Sequence, residues 1–356
     1  MTADPVLLLA WLVLAHLVAD FVLQTPGIVA AKTSSGGRAI RGLLVHGAAV
    51  ALTMVPFAVA FGANGLIALV WVTLSHVLVD RTKIVLTRRA ESRAIAEANR
   101  RHEGRAPAAG LGRAWTPLPA AYFILDQAAH LGALGVAWAV WLATIPLTDG
   151  WVAAVAGLAA AWPPDTVHGV ALGTAVVGCL VISNSRAGAI FVATLVRPLE
   201  VAVDLGPTGG ATPVAGEAAG IVREGAPVRS GSPSAARSGR RWSFRVGPFA
   251  GRVAEDLDAA PAPAPDVTAI VAGERVALPP PAQVGATIGV IERLLIVAFV
   301  LVGADAAIGF VVGAKTIARF KQLDDRDFAE YYLLGTLASV SIAILTAIVA
   351  RAALNA

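Results

Sequence analysis

Long apolar runs separated by short polar breaks dominate the first half of the chain. A bilayer core of roughly 30 Å is crossed by about 20 apolar residues in a helix. Four runs meet that length, over about 5–24, 42–61, 64–87 and 119–144. In the first, no basic lead precedes the apolar stretch, and His16 and Asp20 interrupt where a signal peptide would keep its apolar core, so it reads as a retained helix. A fifth run, Trp151 to Trp162, spans only 12 residues and ends at Pro163–Pro164. Tryptophan at both ends suits an interfacial or re-entrant piece. A helix over 166–184 is predicted next, continuing through Asn184-Ser185-Arg186 towards Arg197 and Pro198. Beyond it, 285–320 reads either as one crossing or as a hairpin turning near Gly303 and Asp305, and a last helix covers about 330–350. The pattern predicts an all-α polytopic membrane helix bundle with six to eight crossings.

A different kind of sequence interrupts the bundle. Residues 205–283 hold 11 of the 21 prolines and eight arginines, with runs such as Pro261-Ala-Pro-Ala-Pro265. Such a stretch buries too little apolar surface to fold and reads as a mostly disordered linker. Two islands, Arg241–Val246 and Val267–Leu278, alternate enough for short strands. The expected organisation is a four-helix membrane core over 1–145, an interfacial segment and helix over 146–204, the linker, and C-terminal membrane helices over 284–356.

Composition agrees with the pattern. Charged residues are 15% and hydrophobic residues 56% of the 356, against roughly 25% and 45–50% in ordinary soluble domains. The single cysteine, Cys179, excludes an internal disulfide and a cysteine-based zinc site. The net charge of +4 says less than its distribution. Nine Lys and Arg fall within 81–113: Arg81, Lys83, Arg88, Arg89, Arg93, Arg100, Arg101, Arg105 and Arg113. The 25–41 loop adds Lys32, Arg38 and Arg41, whereas Met1–Pro5 and Thr148-Asp149-Gly150 have none. The positive-inside bias puts the N-terminus outside an inner (plasma) membrane and both basic loops in the cytoplasm. Lys315, Arg319, Lys321 and Arg326 join them only under the hairpin reading. The basic loop lacks the aromatic interleaving of a nucleic-acid surface, and no nucleic-acid partner is expected.

The chemistry lies in the exceptions to the apolar pattern. His16, Asp20 and Gln24 are spaced four apart on one helix face. His46 opens the second helix, His76, Asp80 and Lys83 close the third, and Asp126, Gln127 and His130 open the fourth. The predicted topology sets all of them in one layer towards the cytoplasmic side. His102 and His168 fall outside it. A charge inside the membrane costs roughly 2.5–3.5 kcal/mol on an insertion scale, so the group needs pairing, water or a metal ion. Imidazole with carboxylate suits Zn, Mn or Fe. The expected metal ligands are His16, Asp20, His76, Asp80, Asp126 and His130, with His46 as a further ligand or base. Lys83 would hold a phosphate or carboxylate oxygen, and Gln24 and Gln127 would contact substrate.

Three readings stay open. A metal-dependent membrane hydrolase, or a related phospho- or acyl-transfer enzyme acting on an anionic lipid or other phosphate-bearing substrate, uses all of these groups. A proton- or ion-coupled transporter also uses intramembrane Asp and His. A scaffold would need the cluster only to tie four helices together.

The run His16-Leu-Val-Ala-Asp20-Phe-Val-Leu-Gln24, with His46, Ser75-His76, Asp80, Lys83, Asp126-Gln127 and His130, resembles a bacterial membrane family known only as domain of unknown function 3307. A second patch looks like the same family: Ile291-Glu292-Arg293-Leu294-Leu295, Ile308-Gly309-Phe310, Ala314-Lys315, Arg319-Phe320 and Glu330-Tyr331-Tyr332-Leu333-Leu334-Gly335-Thr336-Leu337. The resemblance implies a multi-helix protein of bacterial inner membranes and carries no activity with it. In the second patch, Glu292 and Arg293 read as an intramembrane ion pair, or else Arg293, Lys315 and Arg319 neutralise a phosphate-bearing substrate.

Overall fold

A computed structural model of the protein describes residues 2–102, 113–200, 241–246, 249–254, 268–271, 274–277 and 281–356. Seven described helices are long and apolar enough to cross a bilayer: α1 Pro5–Leu23, α3 Gly36–Phe61, α4 Ala63–His102, α5 Leu118–Leu142, α7 Pro164–Val196, α8 Pro281–Val302 and α10 Arg326–Leu354. Three short helices complete the set: α2 Pro26–Lys32, α6 Asp149–Ala159 and α9 Ala306–Ala318. Together they have the length and hydropathy of an integral membrane protein.

The chain divides into two units, Met1–Gly216 with Gly285–Ala356, and Glu217–Val284. The second holds two antiparallel hairpins. One pairs β3 Arg241–Val246 with β4 Phe249–Ala254, and the other pairs β5 Thr268–Val271 with β6 Glu274–Ala277. Both predicted strand islands are therefore strands, and the second island is a complete hairpin. Most of the expected disordered stretch, 201–240 and 255–267, lies outside the described residues. In the first unit, β1 Arg113–Ala114 pairs with β2 Leu199–Glu200.

Side-chain contacts fix the helix directions. α1 and α5 run antiparallel, with Trp138 Nε1 donating to Pro5 O at 3.1 Å near one end and Phe21 meeting Phe123 at 6.3 Å between ring centroids nearer the other. α5 and α7 are likewise antiparallel, through Trp115 Nε1 to Leu195 O at 2.9 Å and Phe123 against Phe191. The result places the ends of α1, α4, α7 and α9, and the starts of α3, α5, α8 and α10, at one end of this unit.

Residues 285–320 form the hairpin and not the single crossing. α8 stops at Gly303, whose φ of 74° is a left-handed conformation that glycine adopts without strain. α9 then doubles back, bringing Lys315 Nζ to 2.6 Å from Glu292 Oε2. Thirteen residues rise only about 20 Å, short of a bilayer core. Lys315, Arg319, Lys321 and Arg326 consequently return to the end that holds Lys32, Arg38, Arg41 and the α4 arginines.

Two differences from the sequence pattern have physical causes. α4 continues to His102, through most of the expected basic loop, because its charged extension is rich in good helix formers (Ala, Glu and Arg). Hydropathy does not see that extension. α6 is an 11-residue helix, the expected non-crossing piece, tied at its start by Thr148 to the carbonyls of Val59 and Ala60 at the end of α3.

Two apolar cores fill this unit. Leu8, Leu12, Val50, Met54, Phe57, Phe61, Val72, Leu134 and Leu142 pack α1, α3, α4 and α5 together. Leu172, Val176, Leu180, Ile296, Val300, Ala343 and Ala347 join α7, α8 and α10, where the two alanines let helices approach closely. Leu44, Leu52, Leu74, Leu78, Leu125 and Leu345 point outward, as lipid-facing side chains must.

Candidate metal centre

Three His–Asp pairs, each four residues apart, stand on three helices. In every pair the acid lies one turn nearer the basic end: Asp20 follows His16 on α1, Asp80 follows His76 on α4, and Asp126 precedes His130 on the oppositely directed α5. His46 on α3 joins the histidine layer. Lysines come next outward, Lys83 at three residues beyond Asp80 and Lys32 at the end of α2. The site is thus layered as imidazole, carboxylate, ammonium. All eight of these His, Asp and Lys32 side chains belong to buried residues, and Lys83 is partly covered.

Local backbone features bring the layers together. Val18–Leu23 forms a π-helical turn carrying Asp20, a wide turn of the kind that marks functional sites. It ends the helix before Gln24, whose side chain instead accepts from Lys32 Nζ. α2 lies against α3 at Gly42, where a Cβ would come within 2.3 Å of the Lys32 backbone nitrogen.

The closest set is a triangle. Asp20 Oδ1 lies 3.2 Å from His46 Nε2 and 3.0 Å from His76 Nε2, and the two nitrogens are 2.9 Å apart. Donor atoms on one tetrahedral zinc, at roughly 2.0–2.1 Å from it, stand about 3.3–3.4 Å from each other. The triangle has nearly those edges. Asp20 Oδ1 nevertheless has no aligned hydrogen bond, although two ring nitrogens are within reach. Four of the seven buried, unpartnered side-chain N or O atoms among the described residues fall in this cluster: Asp20 Oδ1, His46 Nδ1, Asp126 Oδ1 and His130 Nδ1. Unmet polar capacity on that scale fits a centre completed by an ion. Two further triads have donor atoms within 4.8 Å of one another, His16/His76/His130 and Asp80/Asp126/His130. The His76 and His130 rings stack at 4.0 Å.

Around these sit the charges and amides. Lys32 Nζ lies 2.5 Å from Asp80 Oδ2, which is itself 3.3 Å from His46 Nε2. Lys83 Nζ donates to Asp126 Oδ2 at 2.7 Å and stands 3.8 Å from Asp80 Oδ1. Gln127 accepts from His16 at 3.3 Å if Nε2 carries the proton, and donates to Asp20 and Asp126. Three carboxylates against two ammonium groups leave one net negative charge when the imidazoles are neutral.

The structure brings together His16, Asp20, His46, His76, Lys83, Asp126, Gln127 and His130 with Asp80, and hangs Gln24 on Lys32. It places the C-terminal candidates elsewhere. Arg293 is buried, donating Nε to Asn184 O at 2.6 Å and Nη1 to Ser339 Oγ at 3.0 Å, so it ties α7 to α10. Asn184 lies in another π-helical turn, Ser183–Ala187. Glu292 pairs with Lys315 and not with Arg293, and Arg319 donates to Gln322. Lys32 is the residue that sequence reasoning missed as part of the site. Counted there only as a loop charge, it is 5% exposed. The available signal was a short apolar run, Ile28-Val29-Ala30-Ala31, leading into it.

Residues 8–157 match the model of a family described as a protein of unknown function (DUF3307). The matched residues carry the whole cluster, from His16 to His130, and the second patch at 291–337 lies beyond them. No curated protein and no solved structure matches the chain.

Proposed function

We propose that the protein is a metal-dependent hydrolase of the inner membrane, with a centre that opens to the cytoplasm and acts on a phosphate-bearing, anionic lipid-like substrate. The observation that carries this reading is the triangle of Asp20 Oδ1, His46 Nε2 and His76 Nε2, with edges close to those of a tetrahedral site and a carboxylate oxygen that has no aligned hydrogen bond. Asp20, His46 and His76 would hold a divalent ion, which would supply Lewis-acid activation of water when bound. The charge count agrees, since a bound cation would offset the single negative charge of the cluster. His16 and His130, the imidazoles outside the triangle, are placed to carry protons. Gln127 orients His16 and Asp20, and the two lysines pair with Asp80 and Asp126 and hold them in position. The gathering of Lys and Arg at the cluster end supports a cytoplasmic opening and would draw an anionic headgroup.

One proton would close the same charge count, which favours a proton-coupled carrier as the second reading. The apolar packing of Leu8, Leu12, Met54, Phe61 and Leu142 beyond the histidines supports the hydrolase instead, because a carrier needs a polar route to the far side. Metal analysis of the detergent-purified chain separates them. About one equivalent of Zn, Mn or Fe, lost in His76→Ala, is expected. Less than about a tenth of an equivalent, unchanged by His76→Ala, rejects the hydrolase.

A further inference from the structure

Resting on that metal reading, we propose that Asp80, Asp126 and His130 form a second divalent-cation position, and that the Lys83 ammonium keeps it closed so that the centre takes one ion and not two. The donor atoms of this triad lie within 4.8 Å of one another, and none of the three residues is more than 3% exposed. Asp126 Oδ1 and His130 Nδ1 are buried with no hydrogen-bond partner, and His130 Nδ1 lies 3.9 Å from the other Asp126 oxygen. They are the capacity a ligand would use. The donor set, two carboxylates and one imidazole, differs from the nitrogen-rich triangle and suits Mn, Fe or Zn.

Lys83 occupies this position by charge. Its Nζ bonds one carboxylate at 2.7 Å, stands 3.8 Å from the other, and lies 5.5 Å from the centroid of the Phe123 ring. An ammonium reaches carboxylate oxygens at about 2.7–2.9 Å, whereas a transition metal draws them to about 2.0–2.2 Å, so the two cannot share the site. A monovalent cation that is part of the chain thus stands where a divalent one would bind. Without it, Asp126 keeps a hydrogen bond from Gln127 and His130 Nδ1 at 3.9 Å, and the cluster gains a second unbalanced negative charge. In a low-dielectric interior such a charge is expensive and draws a cation.

The test is the bound-metal stoichiometry of the full chain in detergent, stripped with chelator, reloaded with Mn²⁺ or Zn²⁺ and desalted. Wild type and Lys83→Arg are expected to hold about one equivalent, and Lys83→Gln and Lys83→Met about two. The extra equivalent should vanish when Asp126→Asn is added. That double variant is the control, and Lys83→Met serves if Lys83→Gln folds poorly. A folded Lys83→Gln protein that holds no more metal than wild type overturns the proposal, as does a wild type that already holds two. A wild type with no metal overturns the triangle instead, and an equivalent gained in Lys83→Gln and lost with Asp126→Asn would then still support the second position.

Discussion

Lys32 Nζ and Asp80 Oδ2, 48 positions apart in the chain, lie 2.5 Å from each other inside the bundle. This pair pins α2 over the end of α4 and sets the orientation of the carboxylate that faces His46. Removing one partner of a buried pair leaves the other charge uncompensated, at a cost of roughly 3–5 kcal/mol. Lys32→Met and Asp80→Asn should each lower the detergent melting temperature strongly. The double variant should recover much of the loss. Additive losses would mean that the two residues do not act as a pair.

Asp20→Asn separates a ligand role from a structural one. The amide keeps the size of the carboxylate but donates poorly to a metal, so bound metal should fall by at least tenfold with little change in fold. Asp80→Asn, by contrast, should lose stability first. Equal metal loss in both variants would remove the distinction drawn between the triangle and its surroundings.

Gly42→Ala tests the close approach of α2 to α3. The new Cβ meets backbone atoms of Ala31 and Lys32 under 3 Å, so the short helix must move. A loss of about 1–3 kcal/mol is expected, together with weakened metal retention as Lys32 is drawn off Asp80. A melting curve and metal content identical to wild type would show that α2 shifts at no cost.

Arg293 should matter to the fold and not to the centre. Arg293→Ala removes two buried hydrogen bonds and leaves a cavity, and a loss of about 2–4 kcal/mol is expected. Metal content per folded molecule should be unchanged. A specific loss of metal would place Arg293 in the same machinery as the histidines.

Sidedness is checked with cysteines in a Cys179→Ser background. A cysteine at Ser35 should react with a membrane-impermeant maleimide only from the cytoplasmic face, and one at Gly150 only from the outer face. The reverse pattern would turn the proposed topology over.

Much of this arrangement is visible in the sequence because two periodicities carry it. Apolar runs of about 20 residues mark the spans, and four-residue spacing marks His16–Asp20, His76–Asp80 and Asp126–His130 as one-face pairs. Alternating helix direction then sets them at one depth. What the chain does not display is contact between distant segments. Seven-residue α2 has too few turns for a periodic signal, so the burial of Lys32 depends on Gly42, which only the folded packing reveals. The partners of Arg293 are equally non-local, since a main-chain carbonyl at Asn184 and the Ser339 hydroxyl, on two other helices, have no signature in side-chain pattern. The α4 extension escaped for the opposite reason. It is a strong helix by propensity and polar by hydropathy, and only the second property marks a membrane span.

The layering of ammonium over carboxylate over imidazole has a kinetic consequence. Whatever enters from the basic end meets two closed ion pairs, Lys32–Asp80 and Lys83–Asp126, before it reaches a histidine. If the proposed ion binds there, filling the centre would be a displacement in which the entering ion waits on the parting of a salt link, and leaving would reverse that order. Such a centre exchanges its contents slowly however tightly or loosely it holds them, and its half-life, more than its affinity, would set how long each molecule stays loaded.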